Sequence, residues 1–314
     1  MSQTRGDKRR GWHWSDYWQS GRVEVMTVDT PTGPTTFDIG AIWLDWFAEF
    51  PSGARLLDLA TGSGQVARHA HAAAAREGKA FDITGVDYAD VNPVEGCTLL
   101  GGVALEKLPF ASACFDGASS QFGIEYADTK AALAELGRVL KPGGRALMLL
   151  HHADSIITRQ AAEQIAAHDA VVGSGTIFRQ ARRAFVAHLK GAPSEVLESA
   201  EAAFRQAVGR AAARLQPDDA FNTSRQLVAY LGDLATRTTA YEPISALERL
   251  DTAERGTAAW RHRQHSQTKA ALGVPELTAF IQRADRAGLA LVDRSEQQDD
   301  HQALIGWRIA FQRR

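Results

Sequence analysis

One short run constrains this chain more than any other. Arg55-Leu56-Leu57-Asp58-Leu59-Ala60 is apolar enough for a buried strand, and it runs straight into Thr61-Gly62-Ser63-Gly64. From Gln65 to Glu77 the residues are alanine-rich and helix-forming, and Gly78 follows as a C-terminal cap. A strand, a two-glycine turn and a helix make a cradle. Gly62 and Gly64 can take positive φ and let a ligand reach the backbone, while the first turn of the helix offers unpaired N–H groups.

The pattern repeats downstream. Phe81 to Val86 reads as a second strand ending at Asp87, Thr98 to Leu105 as a third, Gly117 to Gln121 as a fourth and Ala146 to Leu150 as a fifth. A helix from Thr129 to Leu140 carries Leu133, Leu136, Val139 and Leu140 on one face and stops at Lys141-Pro142-Gly143-Gly144. Strands alternating with helices predict a doubly wound parallel sheet with right-handed crossovers. Only ADVNPVEGC separates Asp87-Tyr88 from the third strand. A crossover helix needs about a dozen residues or more, so this one is expected to be reduced to a turn or lost. Near the end, Val274-Pro275 opens a helix closed by Gly288, and residues 289–297 and 303–312 read as two strands of a closing hairpin. The sheet is therefore expected to hold seven strands.

Between residues 155 and 272 strands disappear and long helical stretches rich in alanine and arginine take over. The expected organisation is an N-terminal tail and aromatic segment (1–36), an α/β domain (37–154 and 273–314) and a helical insertion or cap (155–272). A tail of the form MSQTRGDKRR is polar and basic. It precedes a dense aromatic group, Trp12, Trp14, Tyr17 and Trp18, expected to dock on the core or close over a ligand. From Phe37 to Phe50, apolar residues at three- and four-residue steps mark an amphipathic helix.

Composition excludes several classes. With 45% hydrophobic and 23% charged residues the chain is an ordinary globular one, and a net charge of −2 argues against a nucleic-acid substrate bound through bulk electrostatics. No apolar run approaches the ~20 residues of a membrane span. Cys97 and Cys114 form no C-x-x-C pair and read as free thiols. With no secretory signal, the expected location is the cytoplasm.

The glycine turn alone leaves two cofactors open. Gly62, Gly64 and Ala67 also satisfy the dinucleotide pattern G-x-G-x-x-G/A, which expects an acid about 20 residues further on. Asp58 separates the two. Beside a pyrophosphate its carboxylate would repel, whereas beside an ammonium and a sulfonium it attracts. Asp87, at the end of the second strand, is placed to accept hydrogen bonds from ribose hydroxyls.

Four motifs in order, LLDLATGSG, GVDYAD, the segment Gly101 to Asp128 with its Leu108-Pro109-Phe110 and Phe115-Asp116, and ELGRVLKPGGRALML, carry a resemblance to a known family. The chain resembles the class I S-adenosylmethionine-dependent methyltransferases, especially the group that includes the ubiquinone/menaquinone-biosynthesis type. The resemblance covers residues 37 to 152 and implies a Rossmann-like α/β fold with S-adenosylmethionine as cofactor and a small-molecule acceptor. It implies that Asp58 and the loop Ala60, Thr61, Gly62, Ser63 and Gly64 hold the methionine part and ribose, that Asp87 binds the ribose hydroxyls and that Tyr88 lies against adenine. Ala60 stands where many members have glycine. Ala104 stands where many have an acid that reads the adenine amine, which leaves that contact to the backbone of Ala104 and Leu105 or to Glu106. Gln121, at the end of the fourth strand, falls beside the transferring methyl.

His151 and His152 follow the fifth strand at the carboxyl edge, where such sheets bind ligands. Either is a candidate general base for a hydroxyl or amine acceptor, and alternation along a strand allows at most one of them to face the site. Glu125 and Tyr126 are further candidates. His262 and His265 have no carboxylate or cysteine to complete a metal set, so no metal is expected. The insertion suits a roof over the acceptor and a homodimer contact equally well. A nicotinamide-dependent oxidoreductase and a non-catalytic S-adenosylmethionine-binding protein are the rival readings. The first does not account for ELGRVLKPGG.

Overall fold

The structure is a computed structural model that describes residues 12–19, 27–30, 33–36, 39–299 and 301–314. The basic tail before Trp12 and the start of the expected helix at Phe37 lie outside the described residues. In chain order the α/β part contains α1 (Trp12–Gln19), β1 (Thr27–Thr30), β2 (Gly33–Thr36), α2 (Gly40–Ala48), β3 (Arg55–Leu59), α3 (Gln65–Arg76), β4 (Asp82–Val86), β5 (Thr98–Leu100), β6 (Phe115–Gln121), α4 (Thr129–Val139) and β7 (Leu140–Leu150). There follow the helices α5 (Ile156–Val172), α6 (Thr176–Leu189), α7 (Ser194–Ala212), α8 (Asn222–Thr236), α9 (Pro243–Ala270) and α10 (Val274–Arg286), then β8 (Leu289–Gln298) and β9 (Leu304–Arg313).

Seven strands form one mixed sheet in the order β5-β4-β3-β6-β7-β9-β8. The first five are parallel, and β9 inserts antiparallel between β7 and β8. This is a Rossmann-like α/β sheet of seven strands, as the motif resemblance implies. The strand order reverses at β3/β6, so both strand ends open on the switch point where ligands bind such sheets. Between β4 and β5 no helix forms: Val86 pairs with Leu100 after a connection with only an isolated Val94–Cys97 bridge.

Alternation along the strands builds two layers of core. Leu57 and Leu59 of β3, with Ala146, Met148 and Leu150 of β7, meet Leu133 and Leu136 of α4 and Phe280 of α10. Leu56, Leu147 and Leu149 face the other way, onto Trp43 and Phe47 of α2 and Val66 and Ala70 of α3. Gly137 lets α4 and α10 close up, since a Cβ there would meet the Ala287 carbonyl at 2.2 Å.

Three details differ from the sequence reading. β5 is three residues long and ends before Gly101-Gly102, where Gly102 takes φ +73°. β7 begins at Leu140, because Leu140 already pairs with Phe115. The Lys141-Pro142-Gly143-Gly144 break is a bulge within the strand, and pairing resumes at Arg145 opposite Gly117. β1 and β2, an antiparallel ribbon, were not foreseen in the N-terminal segment.

Two compact units emerge, one comprising residues 1–159 with 266–314, the other residues 160–265. The second is wholly helical. Its core is built on Phe178, Phe185, Phe204, Leu231, Leu234 and Leu250, interleaved with alanines such as Ala181, Ala184 and Ala207 that let the helices approach. Among the described residues no helix is long and apolar enough to cross a membrane.

Candidate active site

The glycine loop has the geometry its sequence asks for. Gly62 and Gly64 take φ of +52° and +77°, and Ala60 is left-handed as well, at +54°. An L residue at such a φ costs about 1–2 kcal/mol, and here the surroundings accommodate it: Gly123 lies so close that a Cβ on it would be 2.4 Å from that of Ala60. Gly123 thus leaves room across the sheet edge for the Ala60 methyl.

Asp58 and Asp87 sit at adjacent strand ends, both buried. Asp58 Oδ2 accepts the Thr61 hydroxyl at 2.6 Å and Oδ1 accepts the Ser119 hydroxyl at 2.8 Å. Burial pushes its carboxyl up to about 6, against the pull of those two donors. Asp87 Oδ2 accepts the Gly62 amide at 2.8 Å and Oδ1 accepts that of Ala89 at the same distance. Burial raises its pKa too. The two acids thus fix the loop from both sides, each with carboxylate lone pairs to spare.

Tyr88 is exposed beside Asp87. Leu105 is buried in the core and Ala104 half-buried, while Glu106 Oε1 accepts the Asp128 amide at 2.8 Å. Gln121 is tied into the frame. Its Oε1 accepts the Trp43 indole N–H at 2.6 Å and its Nε2 donates to Gln65 Oε1 at 3.3 Å, which links β6 to α2 and α3.

The histidines part as alternation requires. His151 is buried, its ring stacked on Phe122 at 4.6 Å and 20°, with Nε2 3.0 Å from the Tyr126 hydroxyl. Its backbone N–H donates to Glu125 Oε1 at 2.9 Å. His152 lies against Trp307 at 4.2 Å and accepts the Asp154 amide on Nδ1, with Glu296 at 3.8 Å. Burial holds the His151 imidazole down to about 3 and lifts the Glu125 carboxyl to about 7. His151 is therefore a neutral ring near pH 7, with its Nε2 already engaged.

The aromatic helix α1 reaches this edge. Trp18 is the neighbour a Cβ on Gly62 would strike, at 2.7 Å. Trp14 stacks on Trp18 at 5.8 Å and meets the Tyr126 ring edge-on at 5.7 Å. The Asp90 amide donates to Ser15 Oγ and the Asn92 amide side chain to the Trp18 carbonyl, both at 3.1 Å. A chain of rings thus runs from the glycine loop to His151. Sequence reading named each end and missed Phe122, whose positive φ of +50° turns its ring onto His151. The one available signal was F-G-x-E-Y directly after a strand.

The ELGRVLKPGG motif serves architecture. Glu135 accepts the Leu108 amide and pairs with Arg138, and Arg138 donates to the carbonyls of Leu108 and Phe110, all at 2.7–3.1 Å. It is the lock on Leu108-Pro109-Phe110, joining the two motifs in this chain.

With this geometry in hand, residues 57–148 match the family model described as a methyltransferase domain. Over 111 residues the chain is 37% identical to the ubiquinone/menaquinone biosynthesis C-methyltransferase of Geotalea daltonii, covering 32% of this chain and 46% of that one. It is 32% identical over 128 residues to the 2-phytyl-1,4-naphtoquinone methyltransferase of Thermosynechococcus vestitus, covering 36% and 55%. The matched region spans about half the length of these relatives. A solved structure of the Burkholderia thailandensis 1,6-didemethyltoxoflavin-N1-methyltransferase aligns over 100% of this chain and 92% of its own, at 11% identity and a TM-score of 0.43. Over residues 57–148 the chain thus matches a methyltransferase domain, in line with the family its motifs resemble.

Proposed function

We propose that the whole chain is an S-adenosylmethionine-dependent methyltransferase whose acceptor is a small molecule bearing a hydroxylated ring. The observation that carries this reading is the pair of buried carboxylates, Asp58 and Asp87, flanking a left-handed glycine loop at the switch point of the sheet. The residues suit the cofactor. Loop amides and positive-φ glycines accept a close ligand, Asp58 faces the cationic methionine part, and Asp87 has lone pairs for ribose hydroxyls. Tyr88, Ala104 and Leu105 would receive adenine, and Ala60, Thr61 and Ser63 complete the loop. Gln121, fixed by Trp43 and Gln65, would border the reacting centre.

S-adenosylmethionine supplies an already activated methyl group. The chain is left with orientation and the exclusion of water. The aromatic faces of α1, Phe122 and Tyr126 suit a planar ring, and the quinone-directed names of the relatives support that class. Raised only to about 6, the Asp58 carboxyl is mainly ionised near pH 7, and an ammonium and a sulfonium beside it would favour that form further. That argues against a pyrophosphate at the same place.

Calorimetric titration with S-adenosylmethionine and S-adenosylhomocysteine tests the reading. Micromolar binding is expected, weakened at least about tenfold, or ~1.4 kcal/mol, by Asp87→Ala. Folded protein that binds neither, or that binds a dinucleotide tightly, overturns it.

A further inference from the structure

Phe122, Glu125, Tyr126 and His151 form a cluster to which the cofactor-binding roles proposed above assign nothing. It is tied together by the Phe122–His151 stack, the His151 amide on Glu125 Oε1, and the 3.0 Å link between His151 Nε2 and the Tyr126 hydroxyl, among other contacts. Among the described residues the second ring nitrogen, Nδ1, is buried without a hydrogen-bond partner, as is Glu125 Oε2.

A neutral imidazole carries its proton on one nitrogen only. With the proton on Nδ1, a buried N–H would be left unsatisfied; with it on Nε2, Nδ1 leaves only an unused acceptor. Orphaned buried donors are the rarer case. The proton therefore belongs on Nε2, donating to the Tyr126 oxygen. The phenolic hydrogen of Tyr126 is then directed away from His151, and the bond it accepts strengthens it as a donor.

We propose that Tyr126, held by the Nε2–H of His151, donates its hydroxyl to an oxygen of the acceptor ring and selects acceptors bound as a phenolate or enolate over amines. His151 acts as a positioning residue. The inference rests on the methyltransferase reading and adds to it a residue and a charge state. A ring bound with its oxygen ionised presents an electron-rich oxygen or ring carbon to the methyl. Tyr126 is half-buried at the end of the ring chain that begins over Gly62, on the edge where that acceptor would sit.

The full chain, saturated with S-adenosylhomocysteine, is titrated with 4-nitrophenol, whose ionised form is yellow. The bound reporter is expected to ionise about one pH unit below the free one, a tenfold preference for the anion. Uncharged 4-nitroaniline should bind at least about tenfold more weakly. Tyr126→Phe should abolish the shift and leave the affinity for S-adenosylhomocysteine unchanged. Independently, nitrogen-15 resonances of His151, assigned by their loss in His151→Gln, should report the Nε2–H tautomer from about pH 5 to pH 8, where ordinary histidines titrate. A reporter that stays neutral or does not bind, a Tyr126→Phe variant indistinguishable from the parent, or a proton on Nδ1 overturns the proposal. Failure to bind S-adenosylhomocysteine would overturn the methyltransferase reading and this proposal with it, whereas binding of S-adenosylhomocysteine without the reporter shift would overturn this proposal alone.

Discussion

The α/β unit and the helical unit are built to opposite specifications. Among the described residues, Asp58, Asp87 and Glu125 are buried acids, and all three lie at the carboxyl edge of the sheet; the buried polar groups of the helical unit are His168, Ser224 and Thr238. In the helical unit the charges stay at the surface in pairs, such as Arg261 with Asp169 and Arg182 with Asp251 and Glu254. Such exposed pairs contribute little, so its stability comes from Phe204, Phe185 and the alanines packed between them. The α/β unit accepts the desolvation of three carboxyls, a cost that the proposed ligand-binding edge accounts for. One unit is built on packing and the other buries polar groups that work against it.

The strongest way to break this comparison is Phe204→Ala. It should cost about 3–5 kcal/mol of stability through lost burial and a cavity, read by chemical denaturation, while the affinity for S-adenosylhomocysteine stays unchanged. A parallel loss of affinity would show that the helical unit also shapes the site.

Gly123→Ala probes the α/β edge. Its new Cβ meets that of Ala60, and overpacking of this kind costs about 1–3 kcal/mol. Ala60→Gly removes the opposing methyl, so the double variant should recover most of the loss. A simple sum of the two single effects in a double-mutant cycle would refute the steric pairing of Ala60 with Gly123.

The pH dependence sharpens the contrast with the smallest effect. The folded Glu125 carboxyl is raised from 4.5 to about 7 by burial, so between those values the folded state holds more proton than the unfolded one. Its contribution to stability is therefore full below about 4.5 and falls as pH rises through 7. His151, depressed from 6.5 to about 3, acts in the opposite direction between those values. Glu125→Gln should make stability rise more steeply with pH between about 4.5 and 7, measured by urea unfolding at several pH values. An unchanged slope would mean that Glu125 is ionised in the folded chain.

Much of the α/β unit was legible because its signals are local. Alternating apolar runs marked the strands, two glycines marked the loop, and a connection too short for a helix announced the missing crossover between β4 and β5. Cofactor candidates followed, since strand ends bring Asp58 and Asp87 together whatever the side-chain packing. The boundary of β7 was misread because proline and two glycines normally end an element, and only pairing with β6 shows that a bulge absorbs them. Gln121 could be placed at the end of β6, but not its hold on Trp43, 78 positions away.

The sequence by itself therefore determined the order of elements, the loop and the acids beside it, because each depends on residues adjacent in the chain or on a sheet rule that links them. Only the tertiary structure decided what surrounds each group. It placed His151 under Phe122 and against Tyr126, set Ala60 opposite Gly123, and laid Trp18 on Gly62. Such contacts join residues tens of positions apart, and no local periodicity encodes them. Burial and partnership fix the charge and direction of a polar group, so the chemistry of the edge became readable only once the chain had closed around it.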